Sequence, residues 1–139
     1  MILLDTNVVS EPYRARTDLA VIRWLDRQQR VDLYLCTPVL AELHYGAERL
    51  PPGARRDRLA DWLRQVEHEF ADRTLAFDRA ASHAFARVAV IRSRLGRPVG
   101  TLDAMIAAIA LTQGAVVATR DIDDFAGLGL DVVNPFTLR

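Results

Sequence analysis

Four acidic residues, Asp5, Glu42, Asp103 and Asp121, sit where a carboxylate could serve chemistry as readily as structure. Asp5 follows the aliphatic run Ile2-Leu3-Leu4 and precedes Thr6-Asn7. A turn or cap aspartate explains it about as well as a ligand projected from a strand end. Glu42 lies on the shoulder of the stripe made by Val39, Leu40, Leu43, Ala47 and Leu50, beside Gly46. A solvated helical glutamate is the commoner case, but nearness to the apolar seam favours a cleft. Asp103 is the sole charge from Leu102 to Gln113, a segment otherwise suited to complete burial. The helix dipole, with Thr101 as N-cap, accounts for a first-turn aspartate; a carboxylate facing a ligand accounts for it somewhat better. Asp121 begins a stretch holding three acids in four residues, with Asp123 and Asp124. A solvated turn would tolerate all three. Asp121 stands closest to the preceding apolar run, Asp123 should point away, and Asp124 is an auxiliary acid.

Gathered in one cleft, such carboxylates repel one another, and some must take up protons unless a cation joins them. Magnesium and manganese meet that need, since both take oxygen ligands and often keep several waters. An ion so held activates water and neutralises charge on a phosphate undergoing in-line displacement; two ions about 4 Å apart would share the work. Histidine supplies no rival metal site, because His44, His68 and His83 are scattered without ligand spacing. Cys36, the only cysteine, rules out an intrachain disulfide and a cysteine-based zinc site. It reads as a small buried hydrophobe, and a reducing, cytoplasmic setting is the simplest expectation.

The elements that must position these acids follow from the apolar pattern. Ile2 to Leu4 and Leu33 to Cys36 are short buried strands, Thr74 to Phe77 is a third, and Ala115 to Thr119 and Asp131 to Val133 complete the set. Helices are expected over Leu19 to Arg27, from Pro38 to about Leu50 with Thr37 as hydroxyl N-cap, and from about Ala54 through Phe70. Two more run over Arg79 to Leu95, stopped by Gly96, and Leu102 to Gln113. Strands alternating with helices indicate an α/β domain, a mostly parallel sheet with helices on both faces. Ligands of such sheets gather at the carboxyl ends of strands, where Asp5 and Asp121 are expected.

Composition bounds the rest. The 139 residues fit a single domain, 1–139, with no repeat or linker. The longest apolar run, Ala104 to Leu111, falls well short of the ~20 residues that cross a bilayer, so no membrane role is expected. Arginines number 18, balanced by 18 acids, and there is no lysine. Zero net charge argues against indiscriminate coating of nucleic acid, yet acids massed in one cleft would mask arginines clustered elsewhere. Solvated arginines are the default, but Arg92, Arg94 and Arg97 precede the Asp103 segment and are expected to grip a phosphate backbone. Trp24 and Trp62 fall at apolar helical positions and read as core or interface.

The motifs resemble a known family. Met1 through Pro12, with Asp5-Thr6-Asn7 at its centre, resembles the opening of PIN-domain proteins, specifically VapC-type toxins of type II toxin–antitoxin pairs. Thr37-Pro38-Val39-Leu40-Ala41-Glu42 resembles their second acidic motif, and Thr101-Leu102-Asp103-Ala104 the third. Thr119-Arg120-Asp121, then Asn134-Pro135-Phe136, is similar to the fourth motif and the chain end of the FitB-like branch. The resemblance spans nearly the whole chain in order. It implies a five-stranded parallel sheet of order 3-2-1-4-5 and a Mg2+- or Mn2+-dependent endoribonuclease acting on structured RNA such as transfer RNA. It also implies a homodimer and a cognate VapB- or FitA-like antitoxin, with operator DNA reached only through that partner. Asp5, Glu42, Asp103 and Asp121 match the acidic quartet, Asp5 and Asp103 as the surest ligands, with Asp124 competing for the fourth place. Thr6, Asn7 and Thr119 match polar positions that orient ligands or water. Two rivals remain. An aspartyl phosphatase expects a second aspartate where Asn7 stands, and a catalytically weak module docking its antitoxin would not need all four acids.

Overall fold

The computed structural model describes residues 1–138. Five short strands, β1 (Ile2–Leu4), β2 (Leu33–Cys36), β3 (Thr74–Leu75), β4 (Val116–Ala118) and β5 (Val132–Val133), form one sheet in the order β3-β2-β1-β4-β5. Every pairing is parallel, with Ile2 opposite both Leu33 and Val116. Six helices flank it: α1 (Thr6–Val9), α2 (Leu19–Arg27), α3 (Thr37–Glu48), α4 (Ala54–Glu69), α5 (Arg79–Arg94) and α6 (Thr101–Gln113). Successive strand residues face opposite sides. Leu3 and Leu4, Leu35 and Cys36, and Val117 and Ala118 are all buried, so both faces of the sheet are covered. The strands are therefore continuous apolar runs, as in other doubly covered parallel sheets.

Helix α6 owes its burial to small side chains. Ala104, Ala107, Ala108 and Ala110 join Ile106 and Ile109 in the core, and the alanines let α5 pack closely through Ala81, Ala84 and Val88. The helix closes on Gly114 at φ +64, a left-handed C-cap that glycine adopts without strain. Gly96, at φ +70, marks the end of α5 as the sequence indicates.

Several boundaries differ from the sequence reading. Thr37 does not cap α3; it is the first helical residue, and its hydroxyl instead accepts a hydrogen bond from the Phe77 N–H at 3.1 Å. That bond and the Asp78 cap on α5 take the chain out of the sheet after Leu75, shortening the expected third strand. Thr101 likewise begins α6 without capping it, Gly100 being the N-cap. The polar segment after β1 is also more ordered than a loop: Asp5 caps α1, and a 3-10 turn at Glu11–Tyr13 follows.

Candidate active site

The order of the sheet reverses beside β1, whose neighbours are β2 on one side and β4 on the other. The carboxyl ends of β1 and β4 thus lie together at the switch point, the usual seat of a ligand in this architecture. Ladder bonding continues past both ends, from the Asp5 N–H to the Ala118 carbonyl and from the Thr119 N–H to the Val133 carbonyl, each 3.0 Å. Backbone pairing therefore fixes where the Asp5 and Thr119 side chains begin.

Asp5 is 4% exposed and both its carboxylate oxygens are held. Oδ1 accepts the Thr6 N–H at 2.7 Å, and Oδ2 accepts the hydroxyl of the fully buried Thr119 at 2.7 Å. Thr6 turns its own hydroxyl to Glu42 Oε2 at 2.8 Å, tying α3 to the end of β1. Asn7 spans the gap to β4: its Nδ2 donates to Asp121 Oδ2 at 3.1 Å, and its Oδ1 accepts the Arg120 N–H at 3.1 Å. Thr119 Oγ1 also accepts the Asp121 N–H at 3.0 Å. Thr6, Asn7 and Thr119 thus each bridge acids or the strands that carry them.

The acids press on one another. Burial raises the pKa of Asp5; hydrogen bonds from Thr119 and Thr6 oppose the rise, and the charges of Glu42 and Asp121 add to it. Burial likewise drives the half-buried Asp103, reinforced by Asp5, Asp124, Glu42 and Asp121 in that order, and its pKa reaches about 7. Charges that act this strongly on one carboxyl share its immediate surroundings. Asp124 enters the group through the 3-10 turn Ile122–Phe125, and of the two acids from this turn it weighs more on Asp103, while Asp121 weighs on Asp5. Asp123 is exposed and takes no part, as expected.

Among the described residues none of these five carboxylates forms an ion pair with an arginine. Nor does any group of three or more His, Cys, Asp or Glu side chains among the described residues stand close enough together, as placed, to hold a metal ion. Asp5, Glu42 and Asp121 are each tethered by a neighbour's hydrogen bond. Hard oxygen donors, the pKa raised at Asp5 and Asp103, with no arginine to balance them are a donor set suited to a divalent cation such as magnesium or manganese.

Arg92 departs from the sequence reading. It is 3% exposed, and its Nη1 donates to the carbonyls of Asp123 at 3.0 Å and Ala126 at 2.8 Å. A side chain committed to those carbonyls cannot reach an RNA backbone; it anchors the turn that bears Asp124. Arg94 and Arg97 are exposed. Glu11 is the residue sequence reasoning passed over. It is 2% exposed, its Oε1 accepts the Asp18 N–H at 2.7 Å, and its Oε2 faces Arg14 at 3.6 Å and Arg120 at 3.9 Å. The Arg120 guanidinium also lies 3.9 Å from the Phe136 ring centroid. Glu11 and Phe136 so fix the loop that presents Asp121. The only signal in the sequence was an acid wedged before Pro12 in a short connection.

Comparison with known proteins places this fold in a family. The chain matches the PIN domain family over residues 2–129. It is 44% identical to the plasmid stability protein StbB of Pseudomonas syringae pv. tomato, covering 98% of this chain and 99% of that one. It is 41% identical to the VapC ribonuclease Y4jK of Sinorhizobium fredii, covering 98% of each. A solved structure of FitAB bound to an IR36 DNA fragment superposes with a TM-score of 0.94 at 35% identity, over 100% of this chain and 98% of the matched one.

Proposed function

Since the chain belongs to the PIN-domain family, among the VapC- and FitB-like toxins, we propose that it is a magnesium- or manganese-dependent endoribonuclease, the toxin of a type II toxin–antitoxin pair. One observation carries this reading: carboxylates from four separate segments crowd the switch point without an arginine to balance them. Asp5 and Asp103 are the principal ligands, Glu42 and Asp121 complete the set, and Asp124 assists.

When bound, the divalent ion makes water a nucleophile near neutral pH and offsets charge on the phosphate being cut. The chain's own residues set the stage. Thr119 and Thr6 each occupy one lone pair of Asp5, leaving the others aimed at the cleft. Thr6 holds Glu42 at its side. Asn7 keeps the Asp121 loop joined to β1, the structural duty of the position where an aspartyl phosphatase would need its second acid. Asp103, its pKa raised to about 7, would give up its remaining proton in order to hold the ion.

A small VapB- or FitA-like antitoxin is the inferred partner, with DNA bound through it, and a homodimer is the inferred assembly. The motif resemblance supports all three, and the likeness to FitAB bound to DNA supports the first two. The test is cleavage of RNA by the purified chain, free of antitoxin. It should cut with magnesium or manganese, stop with chelator, and lose activity in folded Asp5→Asn and Asp103→Asn variants. Cleavage that persists in chelator, or in both variants, would refute the reading. An uncleaved RNA together with tight antitoxin binding would leave only a docking module.

A further inference from the structure

A cleft of about 630 Å³ opens beside the acidic cluster, sharing Thr6, Asn7 and Glu42 with it. From there it runs outward between the Glu11–Tyr13 turn and the facing sides of α3 and α4. Its lining changes character along the way. The inner end is acidic, whereas Arg14, Arg49 and Arg55 stand along the outer part. Arg49 and Arg55 are exposed and enter no ion pair among the described residues. Aromatic rings lie between these charges. Tyr13 and Trp62 have ring centroids 4.9 Å apart, and Tyr45 is 67% exposed with the Arg49 guanidinium 5.8 Å from its centroid.

An exposed aromatic ring beside unpaired guanidinium groups is the combination that holds single-stranded nucleic acid: the ring stacks a base and the cations take the phosphates. On a chain of zero net charge, cations concentrated beside an acidic cluster also give a polyanion a point of entry next to the acids. We propose that this cleft seats the unpaired RNA nucleotide flanking the scissile phosphate, its base against Tyr45 and its backbone on Arg49 and Arg55. Arg14, drawn towards Glu11 at 3.6 Å, stands on the path from the acids to that seat. The inference rests on the nuclease reading and adds where the substrate lies. It also gives the enzyme a preference for unstacked RNA, since a paired base cannot reach a ring inside a cleft.

The test uses the full chain in chelator, so that binding is read without cleavage. The probes are a short fluorescein-labelled oligouridylate and the same oligomer with abasic central positions. Tyr45→Ala and the double variant Arg49→Glu, Arg55→Glu should each weaken oligouridylate binding on the order of tenfold, while Tyr45→Phe keeps it. The arginine pair should also flatten the salt dependence of binding. Abasic positions should cost the parent as much as Tyr45→Ala does, and add nothing to that variant. Parental affinity in both Tyr45→Ala and the arginine pair overturns the proposal. So does normal RNA binding with loss of the antitoxin complex, which would make the cleft a protein-docking surface. If the parent cuts RNA with magnesium while these variants bind normally, only the cleft assignment falls; if the parent neither binds nor cuts, the nuclease reading falls with it.

Discussion

Thr119 donates its hydroxyl hydrogen to Asp5 Oδ2 at 2.7 Å across 114 residues of sequence, joining the carboxyl ends of two neighbouring strands. The bond is wholly buried and sets which face of the Asp5 carboxylate looks into the cleft. Thr119→Val keeps the shape and removes the donor. It should lower RNA cleavage and manganese affinity roughly ten- to a hundredfold, and Thr119→Ser should restore both. Calorimetric titration of manganese beside a cleavage assay reads the two effects. A Thr119→Val chain with full activity would show that the bond is only structural.

Proton linkage gives a second expectation. Asp103 titrates at about 7 in the folded chain, against about 3.9 unfolded. Between those values the metal-free folded state holds a proton that the unfolded state has released, so stability falls as pH rises through this window. Buried Asp5, also raised, adds to the same trend. Melting temperature in chelator should therefore be lower near pH 8 than near pH 5. Asp103→Asn should flatten that slope, and magnesium should raise the melting temperature most at the alkaline end. A metal-free chain that gains stability with rising pH would contradict the raised values.

Arg92 and its exposed neighbours should behave oppositely. Arg92→Met leaves the Asp123 and Ala126 carbonyls without their donor and should cost about 1–3 kcal/mol in urea unfolding. Arg94→Glu with Arg97→Glu should leave stability nearly unchanged while weakening RNA binding and its dependence on salt. Unchanged RNA binding in that pair would remove Arg94 and Arg97 from the substrate path.

Cys36 supplies a simpler check. Its thiol is fully buried at the end of β2, and burial pushes its pKa up to about 12. The thiolate is the reactive form, so a thiol reagent should modify the native chain only at the rate of unfolding and react at once in denaturant. Rapid labelling of the native chain would mean that the end of β2 opens.

The sequence disclosed those parts of the fold that depend on what each residue shows its surroundings. Leu3 and Leu4, both apolar, announced a strand covered on two faces, and Asp5 immediately afterwards announced a polar strand end. The alanine-rich run around Asp103 announced a buried helix that presents one acid. Facts about partners were hidden. Nothing in the Arg92 neighbourhood says that two carbonyls some thirty residues away will receive its hydrogens. Thr37 and Thr101 look like caps because a hydroxyl at a helix start commonly is one, but Thr37 found a better use in the Phe77 N–H. Glu11 depends on Asp18 and Arg120, both outside the motif that contains it and the second more than a hundred residues away. Of Asp121 and Asp124, the sequence favoured the one closer to the strand; the tight turn after Asp121 sets both acids where their charges act on Asp103.

Strand β4 lies between β1 and β5, and both Asp121 and Asp124 follow it. A chain still being translated can pair β1 with β2, but until β4 follows it lacks the strand on the other side of β1 and the two acids beyond it. On the proposed reading, a polypeptide that stops short of β4 has an incomplete set of acids and should not cut RNA. For the nuclease proposed above, that arrangement makes cutting wait on the pairing of β4 with β1.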